Sequence, residues 1–239
     1  MEWYPGALEF VPTRLRGLAK QYRDRLQPDL TYKSPARRRL VADFVTSLPR
    51  DAVIANVGSG GTNYGANVVN LDIDTFSGVD VVGVAENLPL KNGSCDGVIL
   101  QAVLEHVDDA ERVLAEVHRV LKTQGLVVIE VPFLQGYHPA PRDHRRYTEE
   151  GLRSSVEQQG FEVMRSGVAV GPGSAMAWVA AEFLALLASG RSTSVYRFTR
   201  AITRWLAVPI KYSDRWLDGH PMAYVVASGV WVVARRSGV

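Results

Sequence analysis

Cysteine is nearly missing from this chain: its 239 residues include one, Cys95. A lone thiol builds neither a disulfide framework nor a cysteine zinc cage, and it suits a reducing compartment. An excess of either charge is missing too. Lys+Arg 27 against Asp+Glu 25 leaves +2, too even a balance for an obligate nucleic-acid binder. The start, Met1-Glu2-Trp3-Tyr4-Pro5, has no basic stretch leading into an apolar run, so no secretory leader is expected. The longest apolar run, Ser174 to Ala188, is broken by Glu182 and falls short of the ~20 residues of a membrane span. These absences predict a cytoplasmic protein with no membrane span and no nucleic-acid partner.

What is present is apolar and patterned. Hydrophobic residues make up 46% of the chain, enough for a full core, and its length suits one large domain or a domain with an insertion. Residues 1–50 read as helical and basic, with Arg14, Arg16, Lys20, Arg23, Arg25 and then Arg37-Arg38-Arg39. Ser34-Pro35 is a helix start, followed at helical spacing by Leu40, Val41, Phe44 and Leu48. Short β-branched runs then follow at Ala52–Val57, Val68–Leu71, Val79–Val84, Gly97–Leu100 and Leu126–Val131, with a helix from about Ala110 to Leu121. Runs without polar alternation predict strands buried on both faces, hence a parallel sheet covered by helices. A helix at Thr148–Gln159, a strand at Phe161–Val168, a helical stretch from Gly171 to about Leu217 and a strand at Tyr224–Ala234 complete the pattern.

The first strand ends in Gly58-Ser59-Gly60-Gly61 and the second in Asp72. Glycines allow a sharp turn and close approach of a ligand, and an acid after the next strand can accept ribose hydroxyls. A dinucleotide fingerprint would need glycine where Asn63 stands and an acid about 20 residues on, whereas Asp72 follows Gly58 by 14. An adenosyl ligand without phosphates fits better. Only Gly61–Asn67 separate the loop from the second strand, too few for a full crossover helix, so that helix is expected to be cut to about a turn or the strand to be shorter than this run.

The ordered series Gly58-Ser59-Gly60, Asp72, Ala85-Glu86-Asn87-Leu88-Pro89-Leu90, Asp96, Leu104-Glu105-His106-Val107 and His118-Arg119-Val120-Leu121-Lys122 with Gly125 resembles class I S-adenosylmethionine (SAM)-dependent methyltransferases of the type 11 subgroup, over roughly residues 50–170. The resemblance implies an α/β, Rossmann-like seven-stranded sheet with the last strand antiparallel, N-terminal helices and a helical insertion before the last strand. It implies a helical cap over 1–50, a SAM-binding core over 51–170, an insertion over 171–220 acting as acceptor lid or dimer contact, and a final core strand in 221–239. By the same resemblance Gly58, Ser59 and Gly60 would pack on the methionine part of SAM, Asp72 would hold the ribose, Ala85 and Glu86 would flank the adenine, and Gln101 would lie near the sulfonium. Asn56 stands where the family usually carries an acid for the amino group, and Val84 replaces a common acid beside the adenine.

The densest polar cluster follows the fifth strand, with Glu130, Tyr137, His138, Arg142, Asp143, His144, Arg145, Arg146 and Tyr147. Val131 to His138, with Pro141 and Asp143 to Thr148, is similar to methyltransferases of bacterial polysaccharide and surface-glycan pathways. In those relatives an aromatic residue usually stands at the position of His144. Transfer of a methyl group to an alcohol wants a base poised near neutral pH, which a histidine supplies. His144 is the expected base and His138 the second choice, with Asp143 or Glu105 orienting the ring. His106 reads as a hydrogen-bonded residue under the loop. Tyr137, Arg146, Tyr147 and Trp178 are the acceptor-binding candidates; for the tryptophans, Trp178, Trp205, Trp216 and Trp231, the core is the expected place. Carboxylates near the acceptor leave room for Mg²⁺, although no metal motif is present.

The expectation is a SAM-dependent O-methyltransferase acting on a hydroxyl of a sugar or oligosaccharide. Met176, Trp178, Phe183, Leu184 and Leu187 would serve a lid or a homodimer contact. The alternatives are an O-methyltransferase for a small lipid, quinone or polyketide, a non-catalytic SAM-binding scaffold, and, more remotely, a nicotinamide enzyme.

Overall fold

A computed structural model describes residues 27–238. The basic helical segment read in residues 1–26 lies outside them. Among the described residues seven strands form one sheet in the order β3-β2-β1-β4-β5-β7-β6. They are β1 (Ile54–Val57), β2 (Val68–Asp72), β3 (Val81–Val82), β4 (Cys95–Gln101), β5 (Leu121–Pro132), β6 (Phe161–Val170) and β7 (Gly229–Arg236). Only β7 runs antiparallel to its neighbours, β5 and β6. The expected fold class holds.

Helices cover both faces of the sheet. On one lies α1 (Pro35–Ser47), started by Ser34, whose hydroxyl accepts from the Arg37 N–H. Its Leu40, Val41 and Phe44 pack over Ile54, Val68, Ile99 and Val128. On the other lie α2 (Ala110–Val120), capped by Asp109, and α3 (Glu149–Gln158), capped by Thr148. Their apolar stripes (Val113, Leu114 and Val117; Leu152 and Val156) close over Val98, Leu100, Val127 and Ile129. Gly97 lets α1 sit close, since a Cβ there would lie 2.6 Å from Leu48 and 3.3 Å from Phe44.

Several sequence expectations need correction. The crossover from β1 to β2 contains no helical turn at all: residues 58–67 are turns and coil, and so are 73–80 and 83–94. Polar side chains stitch this half of the sheet instead. The Asn56 amide donates to the Thr62 carbonyl and to Asn70 Oδ1, both at 3.0 Å, and the Asn70 N–H donates to Asp80 at 2.8 Å. The third strand is cut to two residues, and Tyr224–Val226 belong to a 3₁₀ turn rather than to the last strand.

The helical stretch after β6 divides at Gly190 into α4 (Pro172–Ser189) and α5 (Thr193–Lys211), followed by the single turn α6 (Asp214–Leu217). Ala177, Ala181 and Ala207 let α4 and α5 approach closely over Leu30. Buried Asp214 caps α4, accepting from the N–H groups of Gly173 and Ser174 and from the Ser174 hydroxyl. Helix α4 is long and apolar enough to cross a membrane by length and composition, with 39% of that window buried inside the fold. Large apolar side chains of both helices are exposed: Phe183 62% and Leu187 71% on α4, Phe198 68% and Leu206 68% on α5. Trp205 and Trp216 are also exposed, against their expected place in the core.

Because α1 supplies the apolar cover of its face, Phe44→Ala is expected to cost about 3–5 kcal/mol. Urea unfolding of the variant beside the parent chain measures it.

Candidate functional site

The order of strands reverses between β1 and β4, which are hydrogen-bonded neighbours whose onward connections run in opposite directions. A crevice opens at the carboxyl ends of strands at such a point. The glycine loop leaves β1 there. Gly58 and Gly60 have φ of +69° and +54°, a region glycine enters without strain. A Cβ on Gly58 would lie 2.5 Å from the Val103 side chain, whereas one on Gly60 would meet nothing within 4 Å. The loop is tied to β2 by the Ser59 N–H on the Leu71 carbonyl (2.9 Å) and the Gly60 N–H on Asp72 Oδ2 (2.8 Å). Asp72 Oδ1 accepts from the Asp74 N–H at 3.1 Å. Each carboxylate oxygen keeps a second lone pair for a hydroxyl. The Ser59 hydroxyl is buried without a hydrogen-bond partner among the described residues. Open space at Gly60, an orphan hydroxyl and a half-engaged acid fit an adenosyl amino-acid cofactor.

Two of the expected cofactor residues are engaged elsewhere. Asn56, 3% exposed, uses its amide to hold the helix-free crossover. Gln101, at the end of β4, accepts from the Tyr64 hydroxyl and donates to Glu130 at 2.9 Å. Glu130 is held in turn by Arg37 Nε and Nη2 at 2.9 and 2.6 Å. Burial, then the Glu130 charge, push the Tyr64 phenol above its ordinary pKa. This Arg37–Glu130–Gln101–Tyr64 chain escaped the sequence reading. Its one signal was Arg37 in the first turn of a well-capped helix; the pairing with Glu130 is 93 residues distant.

Ala85 and Glu86 form a turn after β3, positioned from α2. Arg112 Nε donates to the Glu86 carbonyl at 3.1 Å. Arg119 donates to the carbonyls of Leu88 and Leu90 and, with Glu116, forms an ion pair at 2.7 Å. That is the physical role of the arginine in the His118–Lys122 segment: it pins the wall after β3.

Opposite lies the segment after β5. Arg146 is its anchor, donating to the carbonyls of Gln135 (2.9 Å) and Gly136 (3.1 Å) and gripping Asp143 through both terminal nitrogens. Asp143, its side chain 1% exposed, also accepts from the His138 N–H at 2.8 Å. Burial pushes its carboxyl up, but the Arg146 hydrogen bonds and the His138 N–H outweigh that and lower it to about 2. Tyr147 packs against the core and Tyr137 is exposed. Trp178 lies against Gly136, whose missing Cβ would collide with the indole, and its ring centre is 5.9 Å from that of His138.

The histidines divide into two groups. His144, the expected base, is not oriented by Asp143 or Glu105. Its Nε2 lies 3.1 Å from Asp108 Oδ1, which Arg142 also contacts at 3.0 Å, while its backbone N–H donates to the Glu105 carbonyl at 2.8 Å. His138 instead joins Glu105 and His106, 3.9 Å from the carboxylate and 5.3 Å from the second ring. Burial works against a charged His138 ring, but Glu105, the Gly136 carbonyl and Asp143 outweigh it and raise its pKa. His106 is held under the loop as expected, its Nδ1 2.6 Å from the Arg142 carbonyl oxygen.

Beside Gln135 and Gly136 an open groove of ≈ 640 Å³ runs along Phe133, Leu134, Met176, Val179 and Leu217. It places α4 next to the segment after β5.

Comparison with known proteins agrees with this geometry. Residues 61–129 match the model of a methyltransferase domain. The fold is shared with a protein of Galdieria sulphuraria provisionally named a sarcosine dimethylglycine methyltransferase (14% identity, 92% of this chain and 98% of that one, TM-score 0.58). It is shared with the 1,6-didemethyltoxoflavin-N1-methyltransferase of Burkholderia thailandensis, solved with its substrate and S-adenosylhomocysteine (17% identity, 95% and 87%, TM-score 0.53). It is also shared with the cyclase SpnF (17% identity, 85% and 82%, TM-score 0.52), so the fold alone does not dictate the reaction. Among curated proteins no significant match was found. The chain thus has the class I SAM-dependent methyltransferase fold, with a methyltransferase-domain match across its central segment.

Asp143→Asn is expected to lose about 2 kcal/mol of stability at pH 7. A carboxyl lowered by folding stabilises above its unfolded pKa and ceases to as pH falls through about 2. The gap between variant and parent should therefore narrow from about pH 4 downward, as urea titrations at several pH values will record.

Proposed function

We propose that this chain, built on the methyltransferase fold, is a SAM-dependent O-methyltransferase whose acceptor is a hydroxyl of a sugar or oligosaccharide. The observation that carries the cofactor half is Asp72, buried at the mouth of the β1–β4 crevice and bonded to the glycine loop while retaining acceptor capacity. Gly58–Gly60 would take the methionine portion, with the Ser59 hydroxyl as a free polar contact; Asp72 would hold the ribose, and the Ala85–Glu86 turn would flank the adenine. When bound, the sulfonium supplies an activated methyl group for in-line displacement by an oxygen nucleophile.

The chain's own contribution is to position that oxygen and take its proton. His144 fits the base: Asp108 faces Nε2, leaving Nδ1 to accept. His138 is the second choice. Arg146 and Asp143 hold the acceptor segment in place, with Tyr137, Tyr147 and Trp178 along it. The similarity of residues 131–148 to glycan methyltransferases supports a saccharide. The narrowest resemblance is to the mycobacterial sugar 1-O-methyltransferase that caps early precursors of methylmannose polysaccharides, which points to a 1-OH. An oxygen-ligated Mg²⁺ site gains no support, since Asp143 and Glu130 are held by Arg146 and Arg37. The exposed apolar hairpin supports the lid or homodimer reading of the insertion.

A second reading has its own observation. The groove along Phe133, Met176 and Val179 is apolar, which favours a small lipid, quinone or polyketide acceptor.

Calorimetry with S-adenosylhomocysteine should show binding that Asp72→Ala weakens about tenfold or more, a loss of ~1.4 kcal/mol or more. Mass spectrometry after incubation with labelled SAM and two panels, defined saccharides and lipid or quinone alcohols, assigns the acceptor. His144→Ala should lower kcat by about 10²–10⁴-fold with cofactor binding retained. Binding without transfer to either panel would mark a scaffold, and no binding would remove the reading.

A further inference from the structure

Glu105 is a buried acid without a donor among the described residues. Its side chain is 0% exposed, and among those residues neither carboxylate oxygen has a hydrogen-bond partner. Burying an unpaired carboxylate is costly enough that a cation or a proton normally meets it. Two imidazoles face this one: His106 Nε2 lies 3.7 Å, and His138 Nε2 3.9 Å, from Glu105 Oε1. Both separations exceed an N–H···O hydrogen bond.

The far sides of the two rings are already engaged. His106 Nδ1 is 2.6 Å from the Arg142 carbonyl oxygen, and His138 Nδ1 is 2.8 Å from that of Gly136. A carbonyl only accepts, so each Nδ1 carries a proton. In the neutral ring that leaves the Nε2 lone pair on the side of Glu105. One ligand atom from each of the three residues then falls within 4.8 Å of the others. Three such lone pairs repel unless positive charge lies among them. Imidazoles anchored through Nδ1–H to a carbonyl, with Nε2 free, are held the way metal-binding histidines are held.

We propose that Glu105, His106 and His138 form a site for one borderline divalent cation of the Zn²⁺ or Co²⁺ class, bound through the Glu105 carboxylate and the two Nε2 atoms. The mixed nitrogen and oxygen set suits such ions, whereas Mg²⁺ prefers oxygen throughout. The ligands come from the segments after β4 and β5, so the ion would tie together the two loops that border the crevice. Three protein ligands leave coordination positions open to water or an acceptor oxygen. Only that last consequence rests on the proposed methyl transfer; cation binding itself needs neither cofactor nor acceptor. The competing arrangement is metal-free, with protonated rings flanking the carboxylate. Arg146 Nη2, 3.4 Å from His138 Nδ1, places further positive charge beside it, and Asp143 Oδ2, at 3.8 Å, opposes that charge.

The test uses the untagged full chain, stripped with a chelator and titrated with Co²⁺ and separately with Zn²⁺. One equivalent per chain should bind, with a visible Co²⁺ absorption band, release of protons to the buffer and a higher melting temperature. Glu105→Gln and His138→Asn should each weaken binding about tenfold or more while circular dichroism reports an unchanged fold. His220→Ala, at an exposed histidine, should bind as the parent does. If one variant fails to fold, the other decides. The proposal is overturned if no one-to-one site is found, if a folded Glu105→Gln or His138→Asn chain binds with undiminished affinity, or if His220→Ala abolishes binding.

Discussion

Everything at the crevice depends on the reversal of strand order between β1 and β4. Two parallel neighbours that send their chains in opposite directions leave a gap at their carboxyl ends that no connection covers. The glycine loop, Gln101 and the turn carrying Glu105 all emerge at this gap, and β5 delivers the segment of His138, Asp143 and Arg146 beside it. The sheet is therefore a device for bringing distant stretches to one edge. Its core is apolar on both faces, as that requires.

The same edge explains where charge is tolerated inside the protein. Glu130, Asp143 and Asp72 are all buried, and each is met by a defined donor: Arg37, Arg146, and the backbone of the glycine loop. Such pairs are modest contributors to net stability but costly to break from one side, so they fix geometry more than they add strength. Glu105 departs from this pattern. It is as buried as any, yet among the described residues neither of its oxygens has a hydrogen-bond partner, and two imidazole nitrogens face it at 3.7 and 3.9 Å. A carboxylate in that position makes chemical sense only with a cation or a proton between the three groups.

The sheet has also dispensed with helices where the chain is short. Ten residues cannot return a chain through a helix to a parallel neighbour, and residues 58–67 do not. The Asn56–Asn70–Asp80 stitching takes over part of the task with side-chain hydrogen bonds. Asn56 is thereby committed to the fold, its amide donating to the Thr62 carbonyl of the loop and to Asn70 of the neighbouring strand. The exposed apolar surface gathers on the α4–α5 hairpin, where two helices pack through small alanines and leave their large side chains outward.

The sequence by itself determined the sheet, because β-branched runs and glycine or proline stops are local signals, and likewise the helix start at Ser34; the caps at Asp109 and Thr148 emerged with the structure. It also marked the glycine loop and Asp72, since their meaning lies in order and spacing along the chain. Tertiary structure alone decided the partners. The sequence offered Asp143 or Glu105 as the partner of His144; the structure instead brings Asp108, 36 positions away, against it from the turn after β4. Arg37 meets Glu130, and His138 meets Glu105, across separations of 93 and 33 positions. Side-chain pairing over such distances is set by how strands and loops pack, and packing is a property of the folded chain rather than of any segment of it.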